Sequence, residues 1–325
     1  MSWVKAVEER PALILIRKIA LAGVILSWLA LLAGMLGRYA WPLDLFAHFR
    51  LHYCAIFLAF GITLLFLQRR ILAVAALIGA VVSAVPVLKY MAPMQSAAAH
   101  GEIFRLVSFN IWFRNDDDAG VAGYLRQTGA DAIVLQEAIE PVARRLHALL
   151  PTYPYAHFDR SGYGAVVFSK WPLISASAQP LASHGSQAAH VQIDWRGSVV
   201  TLVGVHLHWP FGPRNARLRN QELLGVAAIA SAATGPLLIA GDFNVTPWSP
   251  YFQNALAQSG MNDCARGNGF ASSWPSYATW IGIRIDHCLA SRHWRVIDVR
   301  TGPHVGSDHR PVIADLALKE EATSD

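Results

Sequence analysis

The sequence holds only three cysteines in 325 residues, and no two of them are spaced as CxxC. Structural zinc sites need cysteines and histidines at such short spacings. The sequence therefore predicts no zinc site of this kind. Cys54 lies in an apolar run, whereas Cys264 and Cys288 both lie in the later, polar part of the chain. For that later pair, a disulfide and two buried free thiols both stay open.

Charge is scarce, at 15% of residues, and it is unevenly distributed. Residues 95–325 carry 18 Lys and Arg against 19 Asp and Glu, so the net charge of +5 belongs to the N-terminal part. A domain that grips DNA normally carries a basic excess of its own. The neutral balance disfavours that function, and one local basic cluster remains at Arg214, Arg217 and Arg219.

Three long runs in the N-terminal part lack charged side chains, at about 19–37, 51–67 and 71–88. Each run is close to the ~20 residues that a helix needs to cross ~30 Å of hydrocarbon. We therefore predict an all-α transmembrane region of three helices within residues 1–90. The first and third runs contain no ionisable residue, which disfavours an ion channel or a transporter.

Basic residues next to these runs predict the orientation of the chain. One side of the spans would hold more Lys and Arg than the other, and the richer side is expected in the cytoplasm. Three crossings then place the rest of the chain outside the cytoplasm, in the periplasm of a bacterial inner membrane. A cleaved signal peptide is the rival explanation of the first run, but no small-residue cleavage site follows it. The richer side has Lys5, Arg10, Arg17, Lys18, Arg69 and Arg70, and the other side has Arg38, Arg50 and Lys89.

The remainder reads as a linker (91–102), one α/β domain (103–318) and a short tail (319–325). Within the domain, short β-like runs alternate with helical patterns. The predicted strands are 104–109, 132–136, 165–169, 189–194, 199–205, 237–241, 285–290 and 311–316. The predicted helices are about 119–129, 140–150, 216–234 and 249–259, with Asp118 and Ser249 as candidate N-caps.

Polar side chains stand at or near the ends of six predicted strands. A rigid sheet aims catalytic groups in this way. Carboxylate and amide oxygens suit a hard cation such as Mg²⁺ or Mn²⁺, and imidazoles can carry protons. A site with a metal, an activated water and support for a leaving group fits phosphoester hydrolysis. The residues are Asn110, Glu137, His206, Asp242, Asn244, Asp286, Asp308 and His309.

Six short segments carry a resemblance to a known family. In chain order they are "SFNIW", "LQEA", "VHLHW", "GDFNVTP", "RIDHCLAS" and "GSDHRPV", spread over about 104–316. This series resembles the motifs of the endonuclease/exonuclease/phosphatase superfamily, which includes exonuclease III, deoxyribonucleases and neutral sphingomyelinases. The resemblance implies a four-layered α/β sandwich, in which two packed mixed sheets are flanked by helices. It also implies a phosphoester hydrolase that uses one or two ions of Mg²⁺ or Mn²⁺.

The resemblance also implies a role for each matching residue. His309 would act at the attacked phosphate, oriented by Asp286, and His206 would act near the leaving group. The metal ligands would be Glu137, Asn110 and Asp308, while Asp242 would align the water and Asn244 would contact the phosphate. The segment after His206 lacks the long insertion with which apurinic endonucleases grip DNA. His208, Trp209 and Arg217 are weaker candidates for substrate binding.

The predicted function is a membrane-anchored, divalent-metal-dependent phosphodiesterase, nuclease-like or phospholipase-like, that directs water in line at phosphorus. Its partners would be the lipid bilayer and a phosphoester from nucleic acid, a phospholipid head group or a small organophosphate. No protein partner is inferred. Two alternatives stay open: a phosphomonoesterase on a soluble organophosphate, and a catalytically silent domain that binds a phosphate ligand.

Overall fold

The computed structural model describes residues 11–93, 101–159, 164–269 and 271–319. Most of the predicted linker and tail, together with Lys5 and Arg10, lies outside the described residues. The chain divides into two compact units, with the boundary between Lys89 and Tyr90.

The N-terminal unit is helical. Three stretches are long and apolar enough to cross a membrane: Pro11–Met35, Trp41–Phe66 and Arg70–Met91. Less than a third of each stretch is buried within the protein, so most of its apolar side chains face outward, as in helices that contact lipid. The three predicted helices are confirmed as candidate spans. The helices are α1 (Pro11–Met35), α2 (Trp41–Asp44), α3 (Arg50–Phe66) and α4 (Arg70–Met91).

The second unit contains two six-stranded mixed sheets. The first sheet has the order β11-β12-β1-β2-β4-β3, and the second has the order β5-β6-β7-β8-β10-β9. The strands of the first sheet are β1 (Ile103–Asn110), β2 (Ala132–Gln136), β3 (Tyr155–His157), β4 (Ala165–Ser169), β11 (Trp294–Thr301) and β12 (Val312–Leu318). Those of the second are β5 (Leu173–Pro180), β6 (Gln187–Trp195), β7 (Ser198–His206), β8 (Leu237–Asp242), β9 (Asn262–Asp263) and β10 (Asp286–Ala290).

Helices cover the outer face of each sheet. Side chains alternate along each strand, so that Leu106 of β1 enters the core between the sheets while Val107 packs outward. The outward side chains of the first sheet pack against α5 (Asp118–Thr128) and α6 (Glu140–Ala148). Those of the second pack against α7 (Pro213–Ala232) and α8 (Pro250–Ser259). The result is the predicted four-layered α/β sandwich.

All eight predicted strands are present, and the sequence patterns missed four. The missed strands are the two edge strands of each sheet: β11 and β3 in the first sheet, and β5 and β9 in the second. An edge strand lacks a neighbour on one side and is often short or exposed, so it carries a weaker apolar signal. Residues 174–178 of β5, for example, are all exposed.

One of the two predicted helix caps is wrong. Asp117 caps α5, because its Oδ1 accepts a hydrogen bond from the Gly120 backbone N–H at 2.8 Å, whereas Asp118 is already the first helical residue. Ser249 caps α8 as predicted and accepts a hydrogen bond from the Tyr251 N–H at 3.2 Å.

A glycine of β7 permits close approach of the two sheets. A Cβ built on Gly204 would lie 2.8 Å from Val134 Cγ1 and 3.0 Å from the Ala165 Cβ, both in the first sheet. Real Cβ contacts are rarely so short, so any side chain here would push the sheets apart. The spacing between the two sheets therefore depends on this position.

We predict that Gly204→Ala lowers the free energy of unfolding by about 1–3 kcal/mol through overpacking between the sheets. Denaturant unfolding of the purified full chain, followed by tryptophan fluorescence, measures this change. Gly235→Ala is the control, because a Cβ there meets no atom within 4 Å. Equal stability of the two variants would contradict the proposed close contact.

Candidate active site

The strands that carry the predicted site residues end at a common edge of the sandwich. In the first sheet, β1 and β2 run parallel, with Asn110 beside Gln136. In the second sheet, β7 and β8 run parallel, with His206 beside Asp242. Strand β10 is antiparallel to β8, so Asp286, its first residue, pairs with Asp242. The central strands of both sheets therefore deliver their polar residues to the same place.

The segment before β12 reaches this edge because β12 is antiparallel to β1. The Ser307 hydroxyl donates a hydrogen bond to the Asn110 carbonyl at 2.7 Å and accepts one from the His309 N–H at 3.0 Å. Ser307 is fully buried. It ties the segment that carries His309 to the end of the first strand.

Asn110 joins two carboxylates at the centre of the site. Its Nδ2 donates to Glu137 Oε1 at 3.0 Å and to Asp242 Oδ2 at 3.1 Å. Its Oδ1 accepts from the Trp112 N–H at 3.0 Å. Asn110 therefore presents its amide nitrogen to the carboxylates, and in this arrangement its oxygen is used by the backbone. Its role as a metal ligand stays a prediction.

His309 and Asp286 form a buried pair. His309 Nδ1 lies 2.8 Å from Asp286 Oδ2, and His309 Nε2 lies 3.8 Å from Asp242 Oδ2. The Ser273 hydroxyl accepts the N–H of Asp286 at 3.1 Å, which fixes the start of β10. The carboxylate thus orients the imidazole and directs its second nitrogen at Asp242, the arrangement that a histidine acting on a substrate needs.

His206 faces the same carboxylates from the end of β7. Its Nε2 lies 3.8 Å from Asp242 Oδ2 and 4.0 Å from Glu137 Oε1. The Glu137 side chain is 22% exposed, compared with 17% for His206 and 2% for Asp242. Glu137 and His206 are therefore the parts of this cluster that remain partly open to solvent.

The protein shifts the pKa values of His206 and His309 in opposite directions. Burial lowers the pKa of His206, and the neighbouring Glu137 carboxylate offsets this only in part. Burial would also lower the pKa of His309, but Asp286 and Asp242 outweigh it and raise this pKa to about 10. Burial, aided by Asp286, raises the pKa of Asp242 to about 7. At neutral pH the site holds a charged His309, a neutral His206 and an aspartate close to its titration point.

Two residues of the site, Glu137 and Asn244, and the neighbouring Trp112 adopt left-handed backbone conformations, with φ between 51° and 61°. This conformation is unfavourable for most residues with a side chain and is common at functional sites. Gly241, with a φ of 156°, directly precedes Asp242, and a Cβ there would lie 1.8 Å from the Val205 carbonyl oxygen. The backbone is shaped to turn these side chains inward.

Asn244 is held by several hydrogen bonds. Its N–H donates to Asp242 Oδ1 at 2.8 Å, and its Nδ2 donates to the Leu207 carbonyl at 2.8 Å. Arg219, which is 1% exposed, donates from Nη1 to the Asn244 carbonyl at 3.0 Å. Arg219 belongs to the basic cluster seen in the sequence, and it supports the site from within the protein.

The acidic side chains fit a divalent cation. Among the described residues, Asp242, Asp286 and His309 form a group whose ligand atoms lie within 4.8 Å of one another. His309 and Asp286 already pair with each other, however, so an ion between them would break that contact. Asp286 Oδ1 and Asp308 Oδ1 are buried without a hydrogen-bond partner in the described structure, which is costly for carboxylate oxygens. These oxygens and the half-buried Glu137 carboxylate are the type of ligand that a hard divalent cation prefers.

The other oxygen of Asp308 is fixed by an indole. Trp274 Nε1 donates to Asp308 Oδ2 at 3.2 Å, and the Ser276 N–H donates to the Asp308 carbonyl at 2.7 Å. The segment that precedes β10 therefore holds Asp308 in place. Neither Ser273 nor Trp274 was singled out from the sequence, because each acts through a contact that spans loops distant in the chain.

The three weaker candidates do not all reach the same place. His208 Nδ1 lies 2.7 Å from Glu222 Oε1 of α7, and the His208 N–H donates to Glu222 Oε2 at 2.8 Å. Trp209 is exposed and packs against Phe211, with ring centroids 5.4 Å apart. Arg217 is exposed on α7. Their roles in binding substrate stay predictions.

Glu222 is a structural residue that sequence reasoning missed. It is fully buried and also accepts the N–H and the hydroxyl of Ser186, at 2.6 and 2.8 Å. Burial would raise the pKa of Glu222, but the hydrogen bonds from His208 and Ser186 outweigh burial and lower it. The hydrogen bond with Glu222 in turn raises the pKa of His208. The signal in the sequence is its position on the buried face of α7, beside Arg219 and Leu223. Glu222 fixes the segment that follows His206.

The fold and the site define a class of proteins built on two facing sheets, with a cluster of carboxylates and a histidine at their common edge. The model of the Endonuclease/Exonuclease/phosphatase family matches residues 107–309. That match covers more than half of the chain, and the chain belongs to this family. Membership supports a phosphoester hydrolase.

One relative of the chain agrees with this assignment. The inositol phosphosphingolipids phospholipase C of Schizosaccharomyces pombe is 25% identical over 191 residues, which are 49% of this chain and 45% of the relative. The chain therefore spans less than half the length of that protein.

Two solved structures share the fold. An endonuclease/exonuclease/phosphatase from Beutenbergia cavernae has a TM-score of 0.57 at 21% identity, covering 66% of this chain and 72% of its own. Sphingomyelinase C from Streptomyces griseocarneus has a TM-score of 0.51 at 20% identity, covering 66% and 99%.

We predict that Mg²⁺ raises the thermal unfolding midpoint of the metal-free protein, and more at pH 8 than at pH 6. Asp242, with its pKa of about 7, loses its proton between these values. The unfolded carboxyl is ionised throughout, so the metal-free folded state loses stability as the pH rises. The raised pKa of His309 acts in the same direction, because only the unfolded histidine loses its proton in this window. A bound cation offsets the resulting repulsion between carboxylates.

Differential scanning fluorimetry of the detergent-purified full chain measures these midpoints. Glu137→Gln should lose most of the response to Mg²⁺. Glu140→Gln, a change on an exposed helical pair with Arg144, should keep it. A response that is equal in both variants, or larger at pH 6, would contradict the assignment.

Proposed function

We propose that this chain is a membrane-anchored, divalent-metal-dependent phosphodiesterase that hydrolyses the head-group phosphodiester of phospholipids. One observation carries the proposal. Asn110, Glu137, Asp242 and His309 come from different strands and loops, yet they meet within hydrogen-bonding or near-contact distance at one sheet edge. The arrangement gathers the groups that in-line attack of water on phosphorus requires.

Each residue would have a distinct role. Asp242 would orient the attacking water and accept its proton, since a pKa near neutrality suits a general base. His309, kept positively charged by Asp286, would stabilise the charge on the phosphoryl oxygens. His206, neutral at physiological pH, would donate a hydrogen bond to the leaving oxygen. Asn244 would contact the phosphate.

A divalent cation would be held by Glu137 and Asp308, with Asn110 beside it. When bound, it supplies positive charge that stabilises the developing negative charge on phosphorus-bound oxygens. The protein's part is to crowd the carboxylates together, and the Asn110 amide between Glu137 and Asp242 relieves some of their repulsion.

Three observations favour a lipid substrate over nucleic acid. The phospholipase C of Schizosaccharomyces pombe acts, by its name, on inositol phosphosphingolipids. The chain carries three candidate membrane spans. Large aromatic side chains also stand exposed on segments next to site residues, and such side chains favour the interface between water and lipid. These are Phe113, Trp209, Phe211, Tyr277 and Trp280.

We predict that the full chain, reconstituted with Mg²⁺ in vesicles, releases phosphorylated head groups from sphingophospholipids. His309→Ala should lower kcat by about 10²-fold or more, because it removes the positive charge that would stabilise the phosphoryl oxygens. Phosphate-containing products in the aqueous phase give the rate. His184→Ala, at an exposed histidine, is the matched control and should leave the rate unchanged.

The same assay separates the alternatives. EDTA should abolish turnover, and bis-p-nitrophenyl phosphate should be cleaved in preference to p-nitrophenyl phosphate. Cleavage of single-stranded DNA or RNA, with lipids left intact, would make the enzyme a nuclease. Preference for the monoester would make it a phosphomonoesterase. Tight phosphate binding without turnover of any of these would identify a silent binding domain.

We also propose that the catalytic domain lies on the periplasmic side of a bacterial inner membrane. The support is the excess of Lys and Arg on the side of α1 and α4 that would face the cytoplasm, including Arg17, Lys18, Arg69 and Arg70.

A reporter fusion tests this orientation. Alkaline phosphatase, which is active only outside the cytoplasm, should be active when fused after residue 319. The same enzyme should be inactive when fused in the turn after α3, at Arg69. The reverse pattern would place the domain in the cytoplasm.

A further inference from the structure

Two cysteines face each other in the core between the sheets. Cys264 follows β9, Cys288 lies in β10, and the Cys264 N–H donates to the Cys288 carbonyl at 2.9 Å. Their Sγ atoms are 3.3 Å apart, and each residue is 1% exposed. Neighbouring antiparallel strands thus hold the two thiols side by side. A bond needs the sulfurs to approach to about 2.05 Å, which small side-chain rotations can provide.

Other uses of these thiols fit the structure poorly. A nucleophile or a metal ligand must be a thiolate, and burial together with the neighbouring thiol raises the pKa of Cys264 well above its ordinary value. Both side chains are buried among apolar residues in the core between the sheets. The metal-ligand group found among the described residues contains no cysteine. Of the reactions open to a cysteine pair, the geometry therefore favours bonding of the two sulfurs to each other.

We infer that Cys264 and Cys288 form a disulfide bond in the native protein. Two S–H bonds break and one S–S bond forms, so that the pair loses two electrons and two protons. The oxidant is a thiol-reactive disulfide, of a protein or a small molecule, whose own S–S bond is reduced to two thiols. Because the closed pair is fully buried, the exchange takes place while the strands are assembling.

The bond would close a loop that supports the active site. The two cysteines are 24 residues apart in the chain. Between them lie Ser273, which accepts the Asp286 N–H, and Trp274, which donates to Asp308. Joining the ends of this segment reduces the number of conformations of the unfolded chain and so stabilises the folded loop.

Thiol mapping tests the inference directly. Cells that express the full chain are lysed in denaturant with N-ethylmaleimide and without reductant, and peptides are identified by mass spectrometry. We expect Cys264 and Cys288 in one disulfide-linked peptide pair, free of the label. Cys54, in the apolar helix α3, should be labelled and serves as the internal standard. Full labelling of all three cysteines would overturn the inference.

A stability measurement gives a second, independent readout. After reduction in denaturant and refolding with a reductant present, the wild-type chain should unfold roughly 5–10 °C lower than the unreduced protein. The double variant Cys264→Ala, Cys288→Ala should show no such difference between the two treatments. An unchanged wild-type midpoint would also count against the bond. Neither experiment depends on which phosphoester the enzyme cleaves.

Discussion

The close packing of two sheets, with their central strands ending at one edge, is the constraint on which the whole site depends. Asn110 comes from one sheet and Asp242 from the other, yet their side chains are hydrogen-bonded at 3.1 Å. Gly204 keeps the sheets near enough for this contact. No single loop builds the site, so its geometry is as rigid as the core beneath it.

The second feature of the site is the close placement of several carboxylates. Several carboxylates lie around one positively charged imidazole, and the excess negative charge is tolerable because an amide, backbone N–H groups and His309 are aimed at it. Burial, with a contribution from the Asp286 carboxylate, still raises the pKa of Asp242 to about 7. A site with this arrangement of charges is suited to receive a cation.

The sequence allowed much of this to be predicted, for identifiable reasons. Buried strands such as β2 and β4 are solidly apolar, so their bounds were predicted correctly, while the exposed edge strand β5 had no comparable pattern. Motif residues stood out because polar groups interrupt apolar runs. The pairing of the sheets came from resemblance, since periodicity cannot specify strand order. Supporting residues such as Ser273 and Glu222 act through contacts between distant segments, and these leave only weak local signals.

The left-handed backbone at Glu137 has an evolutionary consequence. A side chain in this conformation is held at a cost of about 1 kcal/mol or more, a penalty that glycine does not carry. Loss of the carboxylate through Glu137→Gly would therefore relax the main chain while it removes the metal ligand proposed here. The relaxed main chain would offset part of the stability lost with the hydrogen bonds that the carboxylate accepts from the Asn110 side chain and the Phe113 N–H. Pseudoenzymes that retain the fold as binding proteins have a short mutational route at this position.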